Sequence, residues 1–313
     1  MRARLEAGDA FSCFGSTCSV FVIGDGDCGR ATHAVGWARR TLHAWHDRFT
    51  RFSPDSELSR LNADPRRAVP VSPMMARFVS AAIDAAEASD GLVDAGLLTE
   101  IEAGGYVDHL GRGVDLGAAL RVAPARSPAA ASPAAAMSRV QVADGVVRRP
   151  PGVMLDSGGL AKGLFADVLA ERLGTHPSFA VECAGDVRVG GTARLPRPVR
   201  VEDPFGGPPL HEFHLGDAGI ATSGIGRRSW LDDSGAPWHH LLDPSTGRPA
   251  YTGVVQATAI APTAVEAEMR AKAAVLAGPR KATGWIAHGG VVVLDDGRVH
   301  IVHARDDRGG TDE

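Results

Sequence analysis

The chain has 313 residues, of which 44% are hydrophobic and 5% aromatic, and its formal net charge is -4 at pH 7. This composition lacks the basic surface and the aromatic platforms of a general nucleic-acid-binding protein. No apolar run reaches the roughly 18 residues that a membrane-spanning helix requires. We therefore expect a folded protein with no nucleic-acid partner and no membrane insertion.

The first ten residues contain Glu6 and Asp9 and no apolar segment typical of a signal peptide. The four cysteines show no Cys-x-x-Cys spacing, which argues against both a zinc site and a disulfide framework. These features predict a cytoplasmic protein with reduced thiols. They do not indicate an oligomeric state.

Helices and strands alternate without a strict βαβ rhythm, which predicts an α+β (mixed α/β) fold with central mixed sheets flanked by helices. The predicted helices are Ala31–Phe49, a segment from Ser72-Pro73 to Gly91, a segment that Asp156–Gly163 opens and that runs to Leu173, and Ala264–Ala277. The predicted strands are Ser16–Ile23, Val140–Val142 and Val146–Val147 as a hairpin, Phe179–Val181, Val199–Val201, Gly219–Ala221, Val254–Ile260, Gly290–Leu294 and Val299–Val302. The Ala/Pro/Ser-rich stretch at about 123–136 predicts a flexible, exposed loop.

The segment Asp156–Gly163 reads Asp-Ser-Gly-Gly-Leu-Ala-Lys-Gly and opens a predicted helix. A glycine-rich turn at a helix N-terminus offers free N–H groups and the positive end of the helix dipole to a phosphate. Lys162 lies in the first turn. It is not followed by Ser or Thr, so the segment is not a Walker P-loop. The sequence predicts a phosphate or pyrophosphate site of another kind.

The predicted helix Ala264–Ala277 carries two i,i+4 ion pairs. The first, Glu266 with Arg270, is expected on the solvent face. The second, Glu268 with Lys272, lies among the apolar residues that should face the core. It is either a partly buried structural ion pair or a carboxylate and ammonium that hold a metal or a polar ligand.

Three further segments place polar groups at turns. They are Thr222-Ser223-Gly224, the stretch His240–Gly247 and the stretch Arg51–Asn62. Each of them alone is typical of a capped turn. Together with Asp156–Gly163 and the helix that carries Glu268, in this order, they resemble the FAD:protein FMN transferases of the ApbE family over residues 15–278.

The resemblance implies that the pyrophosphate of FAD is cleaved and that FMN is esterified to a Thr or Ser hydroxyl of an acceptor protein, with release of AMP. It implies FAD as substrate, Mg²⁺ on the pyrophosphate and an FMN-binding-domain protein as acceptor. It also implies a domain over residues 1–278, a sheet completed by residues 279–304, and a disordered tail at 305–313.

Site residues carried over by this resemblance fall into three groups. The catalytic group is His240, Asp243 and Lys162, and either His240 or a carboxylate is the general base. The FAD-binding group is Ser56, Asn62, Tyr106, Asp156, Gly158, Gly159, Lys162, Glu182, Asp186, Thr222, Ser223, Gly224, Arg228 and His240. The metal group is the Ala161 carbonyl, Glu268 and the position of Lys272.

Three positions depart from the family pattern. Glu268 and Lys272 stand where the family commonly has an aspartate and, four residues on, a threonine as metal ligands. A protonated lysine cannot bind a metal, although its charge can replace part of the metal's role. Glu182 is an added carboxylate that could pair with Lys272 or bind metal. The alternatives are therefore an FAD pyrophosphatase, in which water replaces the acceptor hydroxyl, and a non-catalytic FAD-binding protein.

Overall fold

The structure is a computed structural model that describes residues 6–108, 113–132, 135–232 and 234–304. The tail predicted at 305–313 lies outside the described residues. The helices are α1 (Ala31–Phe49), α2 (Glu57–Ala63), α3 (Pro73–Ala88), α4 (Leu98–Ala103), α5 (Leu116–Val122), α6 (Ala161–Leu173), α7 (Ala264–Ala277) and α8 (Pro279–Trp285). Two 3₁₀ turns span Met137–Arg139 and Ser157–Gly159.

One eight-stranded sheet organises the fold. Its strands are β1 (Glu6–Cys13), β2 (Ser16–Ile23), β6 (Ser178–Cys183), β7 (Asp186–Gly190), β10 (Ala218–Gly224), β15 (Val254–Ala261), β16 (Gly290–Leu294) and β17 (Val299–Val302), in that spatial order. Every neighbouring pair in it is antiparallel. The α+β class is confirmed, but this sheet is antiparallel rather than mixed, because three of its pairs are hairpins of consecutive strands and none is a βαβ crossover.

Four smaller sheets within the described residues lie around it. They contain β3 (Ala68–Pro70), β4 (Gln141–Ala143) and β5 (Val146–Arg148); β8 (Arg197–Val201) and β9 (His211–Leu215); β11 (Ser229–Leu231) and β12 (Pro237–His239); and β13 (Leu242–Asp243) and β14 (Arg248–Pro249). The predicted hairpin is β4–β5, and its turn residues Asp144 and Gly145 both have positive φ, at 50° and 71°.

The helices α1, α6, α7 and α8 pack on successive strand pairs of the large sheet and contact one another. They therefore form a layer on one of its faces, with the main apolar core between layer and sheet. Within the described residues, no helix is both long enough and apolar enough to span a membrane.

The stretch at 123–132 is irregular and largely exposed, as expected of a loop. Backbone hydrogen bonds nevertheless attach it to the rest of the molecule. Ser127 N–H donates to the Tyr251 carbonyl, and Ala129 N–H donates to the Leu276 carbonyl at the end of α7. The loop thus runs against the C-terminal end of the helix that carries Glu268.

The contact between α6 and α7 is unusually close. A Cβ on Gly163 would lie 2.6 Å from the Ala264 carbonyl oxygen and 2.8 Å from the Val265 Cα, so only glycine allows this approach. The Asp167 carboxylate of α6 accepts hydrogen bonds from the backbone N–H groups of Ala264 (2.8 Å) and Val265 (2.9 Å). These N–H groups begin α7 and have no partner within the helix, so Asp167 caps α7.

A buried histidine lies at the end of β12. His239 is 1% exposed, and neither ring nitrogen has a hydrogen-bond partner within the described part of the chain. Its ring meets the Tyr251 ring edge-on, with 4.8 Å between centroids. Burial lowers the pKa of His239 to about 3.

We predict that Gly163→Ala destabilises the protein by about 1–3 kcal/mol, because the new Cβ meets backbone atoms of α7 that cannot move alone. Gly284→Ala is the matched control, since this glycine of α8 has no atom within 4 Å of an added Cβ. The control should leave stability unchanged or raise it by up to about 1 kcal/mol, the helical preference of Ala over Gly. Urea unfolding measures both. Equal free energies of unfolding for the two variants would contradict the close α6–α7 contact.

We predict that His239→Phe reduces the acid sensitivity of the fold. Below the unfolded-state pKa of about 6.5, the unfolded chain binds a proton at His239 that the native state excludes until about pH 3, so stability falls as pH falls through this window. Removing the imidazole should reduce the slope of unfolding free energy against pH by up to about 1.4 kcal/mol per pH unit. The measurement is urea unfolding at several pH values between neutrality and mild acid. Parallel wild-type and variant curves would contradict the burial of a neutral His239.

Candidate functional site

The glycine-rich segment predicted to bind phosphate forms a 3₁₀ turn, Ser157–Gly159, that leads directly into α6. Two hydrogen bonds fix the turn: Asp156 N–H donates to the Ala95 carbonyl (2.8 Å), and Ser157 Oγ donates to the Phe49 carbonyl (2.8 Å). The turn is thus held between the end of α1 and the segment before α4.

Four charged side chains meet at the start of α6. Lys162 Nζ donates to Asp186 Oδ2 (2.5 Å) and to Glu268 Oε1 (2.8 Å), and Lys272 Nζ donates to Glu268 Oε1 (3.1 Å). The other carboxylate oxygen of Glu268 accepts the Gly163 N–H at 3.0 Å. We call Lys162, Asp186, Glu268 and Lys272 the charge quartet. The second ion pair predicted on α7 is therefore buried, and Glu268 is only 1% exposed.

Burial and mutual attraction act against each other in the charge quartet. Burial alone would raise the pKa of Glu268, but the two ammonium groups and the Gly163 N–H lower it to about 2. Burial, with the Glu268 charge, raises the pKa of Asp186 to about 6. Burial lowers the pKa of Lys272, although Glu268 opposes this shift. Burial alone would also lower the pKa of Lys162, but Asp186 and Glu268 raise it.

Two cavities meet at the charge quartet. The smaller has a volume of about 290 Å³ and the larger about 820 Å³. The larger one is within the usual range of about 300–1,000 Å³ for small-molecule sites. Six residues line both cavities and therefore mark their junction: Gly158, Lys162, Arg227, Arg228, His240 and Lys272. The junction is rich in cationic side chains. It could therefore bind an anionic group in the middle of a ligand whose two ends occupy the two cavities.

Most of the predicted site residues line these cavities. Tyr106, Asp156, Gly158, Gly159, Ala161, Lys162, Arg228, His240 and Lys272 line the smaller one. Gly158, Lys162, Glu182, Asp186, Thr222, Ser223, Gly224, Arg228, His240, Glu268 and Lys272 line the larger one. Segments far apart in the sequence are thus brought together by α6, α7 and the strands β6, β7 and β10.

Three predicted site residues line neither cavity and instead support local structure. Ser56 accepts the Ser59 N–H (2.9 Å) and so caps α2. The Asn62 amide pairs with both backbone groups of Leu155 (2.9 and 2.8 Å), just before the phosphate-type turn. The Asp243 carboxylate accepts the Ser245 N–H, the Ser245 hydroxyl and the Ala130 N–H.

The added carboxylate Glu182 does not join the charge quartet. Its Oε2 accepts a hydrogen bond from Ser19 Oγ at 2.8 Å, across the β2–β6 pair. Asp186, at the start of the next strand, is the carboxylate that binds Lys162. The predicted pairing of Glu182 with Lys272 is therefore not what the structure contains.

His240 combines a neutral ring with a position at the cavity junction. Burial, together with the positive charges of Arg228 and Lys272, lowers the pKa of His240 well below its ordinary value. Its Nδ1 lies 3.4 Å from the Arg228 carbonyl oxygen, which can only accept, so the tautomer with hydrogen on Nδ1 is favoured. Nε2 then keeps a lone pair that can accept a proton.

Sequence reasoning missed Arg51 as a site residue. Its side chain is 7% exposed and lines the smaller cavity. The guanidinium carbon lies 4.4 Å from the Phe52 ring centroid and 4.2 Å from the Tyr106 centroid, typical of cation–π contacts. Nη2 has no hydrogen-bond partner among the described atoms. An arginine before an aromatic residue is too common a pattern to indicate this role in a sequence.

The predicted magnesium ligands do not suit a divalent cation. Magnesium takes oxygen ligands and usually binds one or two carboxylates. Here the Glu268 carboxylate already accepts bonds from two ammonium groups and one N–H. Lys272 offers no lone pair and repels a cation, which leaves the Ala161 carbonyl without a partner ligand. Within the described residues, no three His, Cys, Asp or Glu side chains are grouped to hold a metal.

Curated relatives support the resemblance seen in the sequence. A protein of Treponema pallidum named FAD:protein FMN transferase is 33% identical over 144 residues, which cover 42% of this chain and 40% of the relative. A protein of the same name from Salmonella typhimurium is 28% identical over 294 residues, covering 90% of this chain and 81% of the relative. The match to the first of these thus spans less than half of that relative's length.

Solved structures share the fold. The ApbE protein of Thermotoga maritima superposes with a TM-score of 0.75 at 23% identity, covering 96% of this chain and 97% of that one. The apo form of the Pseudomonas stutzeri flavinyl transferase ApbE gives a TM-score of 0.75 at 20% identity over 99% of both chains. A sequence profile described as the ApbE family matches residues 14–294. The chain belongs to the ApbE family.

Proposed function

We propose that this protein is an FAD:protein FMN transferase. The observation that carries the proposal is the cationic junction between two cavities, shared by Lys162, Lys272 and His240 among others. FAD has two bulky halves joined by a pyrophosphate, so each half would occupy one cavity and the pyrophosphate would lie at the junction. The names of the relatives support the same reaction.

In this reaction the hydroxyl oxygen of an acceptor Thr or Ser attacks the phosphorus of the FMN half. The bond from that phosphorus to the bridging oxygen breaks, and AMP leaves with that oxygen. The hydroxyl proton is released to a base, so the products are a phosphodiester of FMN with the acceptor, AMP and one proton. Cationic side chains at the junction stabilise the charge that develops on the phosphates.

We infer that His240 is the general base. Its pKa lies well below the ordinary value, so the ring is neutral at pH 7, and Nε2 is available because Nδ1 faces the Arg228 carbonyl. The competing carboxylate, Asp243, accepts three hydrogen bonds in its own turn and lines neither cavity. A base of low pKa keeps its lone pair over a wide pH range, although it takes the proton less strongly.

The acceptor is proposed to be a protein with an FMN-binding domain. The sequence motifs that resemble the family imply this partner, and the acceptor needs only an exposed Thr or Ser that can reach the junction. Strand β8 forms part of the wall of the larger cavity through Arg197, Val199 and Val201.

The direct test incubates the purified chain with FAD and an FMN-binding-domain acceptor, and then measures AMP and the acceptor's mass. We expect AMP and an acceptor heavier by one FMN in equal amounts. AMP without the mass increase would identify a pyrophosphatase, in which water has replaced the hydroxyl. Bound FAD with neither product would identify a flavin-binding protein and overturn the proposal.

A second prediction concerns His240→Asn. We expect transfer to fall by about 10²–10⁴-fold, the usual contribution of a general base, while the FAD dissociation constant changes little. His239→Phe is the matched control, because this neighbour lines neither cavity. It should retain transfer at a pH where its fold is stable.

In the wild type, the low pKa of His240 predicts no loss of rate through its titration near pH 6.5. Equal transfer rates for His240→Asn and wild type would remove His240 from the reaction.

A further inference from the structure

The two lysines of the charge quartet differ in how many of their donors the protein uses. Lys162 donates to both Asp186 and Glu268, and these two hydrogen bonds hold its ammonium between the carboxylates. Lys272 donates only to Glu268 within the described residues. An ammonium has three donors, so two donors of Lys272 remain for a ligand.

Lys272 also lies at the junction of the two cavities, where an anionic group of the ligand would bind. It lines both cavities, and its Cε lies 3.7 Å from the place that a Cβ on Gly159 would take. Its side chain therefore lies beside the Ser157–Gly159 turn, at a distance typical of van der Waals contact. The free donors of Lys272 and the glycine-rich turn border the same volume.

At the cavity junction, the Lys272 side chain itself supplies a positive charge, without a bound metal ion. Glu268 holds Lys272 at 3.1 Å, and Glu268 is itself held by the Gly163 N–H at the N-terminus of α6. A lysine positioned in this way has lost its side-chain freedom before a ligand arrives, so binding does not have to order it. Lys272 also donates a hydrogen bond to Glu268, the carboxylate that a divalent cation would need as a ligand.

We propose that the ammonium of Lys272 takes the place of a divalent metal in this chain, so that FAD is bound through its pyrophosphate without magnesium. The inference rests on the proposed function for the identity of the ligand. Arg227 and Arg228, which line both cavities, supply the remaining positive charge beside the two phosphates. Lys272 is thus a ligand-binding residue in this chain and not a defective metal ligand.

The test measures the FAD dissociation constant by quenching of flavin fluorescence, with the protein first in EDTA and then in magnesium chloride. For the wild type we expect values that agree within about twofold, corresponding to less than about 0.5 kcal/mol. FAD binding that is strong in magnesium and lost in EDTA would overturn this inference and leave the proposed function intact. No FAD binding in either condition would overturn the proposed function itself.

Lys272→Met keeps the length of the side chain and removes the charge. We expect it to weaken FAD binding by about 10–100-fold, as for the loss of a charge-assisted hydrogen bond, both in EDTA and in magnesium. Arg270→Met is the matched control: it removes the other i,i+4 ion pair of α7, which lines neither cavity.

The control should change FAD affinity by less than about twofold. Circular dichroism checks that both variants fold. Equal affinities for Lys272→Met and Arg270→Met would overturn the role of Lys272. If Lys272→Met does not fold, the comparison of wild type in EDTA and magnesium still decides the question.

Discussion

The site depends on a reciprocal contact in which each of two helices caps the other. Asp167 of α6 accepts the first N–H groups of α7, and Glu268 of α7 accepts the Gly163 N–H near the start of α6. The contact requires glycine at position 163, because a side chain there would meet the backbone of α7. Through it, the N-terminus of α6 receives a carboxylate of the protein itself as its anion.

This capping determines where the cations lie. Once Glu268 is buried against α6, its negative charge must be balanced, since an unpaired buried carboxylate is very unfavourable. Lys162 and Lys272 supply that balance, and Asp186 in turn balances Lys162. In the proposed function, a phosphate at the start of α6 would be attracted mainly by the ammonium groups that Glu268 holds there. The phosphate-type site predicted from the glycines is better described as an ammonium site beside a glycine turn.

The elements predicted most accurately from the sequence are helices with a regular spacing of apolar residues. The bounds of α1 and α7 agree with the prediction, and Thr263 caps α7 by accepting the Glu266 N–H. Strand β1 was not predicted, because Gly8 and Asp9 are poor strand residues and it is held as an edge by pairing with β2.

Site residues were harder to predict than elements, because polar residues at turns serve both caps and ligands. Asn62 and Asp243 are residue types that often bind ligands, yet their side chains form hydrogen bonds with backbone groups of the protein. Glu182 and Asp186 are four residues apart on two paired strands, and only their tertiary placement decides which meets Lys162. The carboxylate and lysine of α7 could be recognised from their apolar neighbours, but their partners across α6 could not.

The charge of the Glu268–Lys272 pair differs from that of a metal site. A carboxylate and a hydroxyl that hold a divalent cation carry a net charge of plus one, whereas Glu268 with Lys272 carries none. The proposed arrangement therefore has one positive charge fewer, and a pyrophosphate at the junction would depend more on Arg227 and Arg228, which line both cavities. The longer arm of Glu268 is also consistent with this arrangement, since its carboxylate must reach the Gly163 N–H and still accept two ammonium groups. If Lys272 replaces the metal as proposed, the departures at positions 268 and 272 act together: the Glu268 carboxylate caps α6, and the Lys272 ammonium supplies the cation.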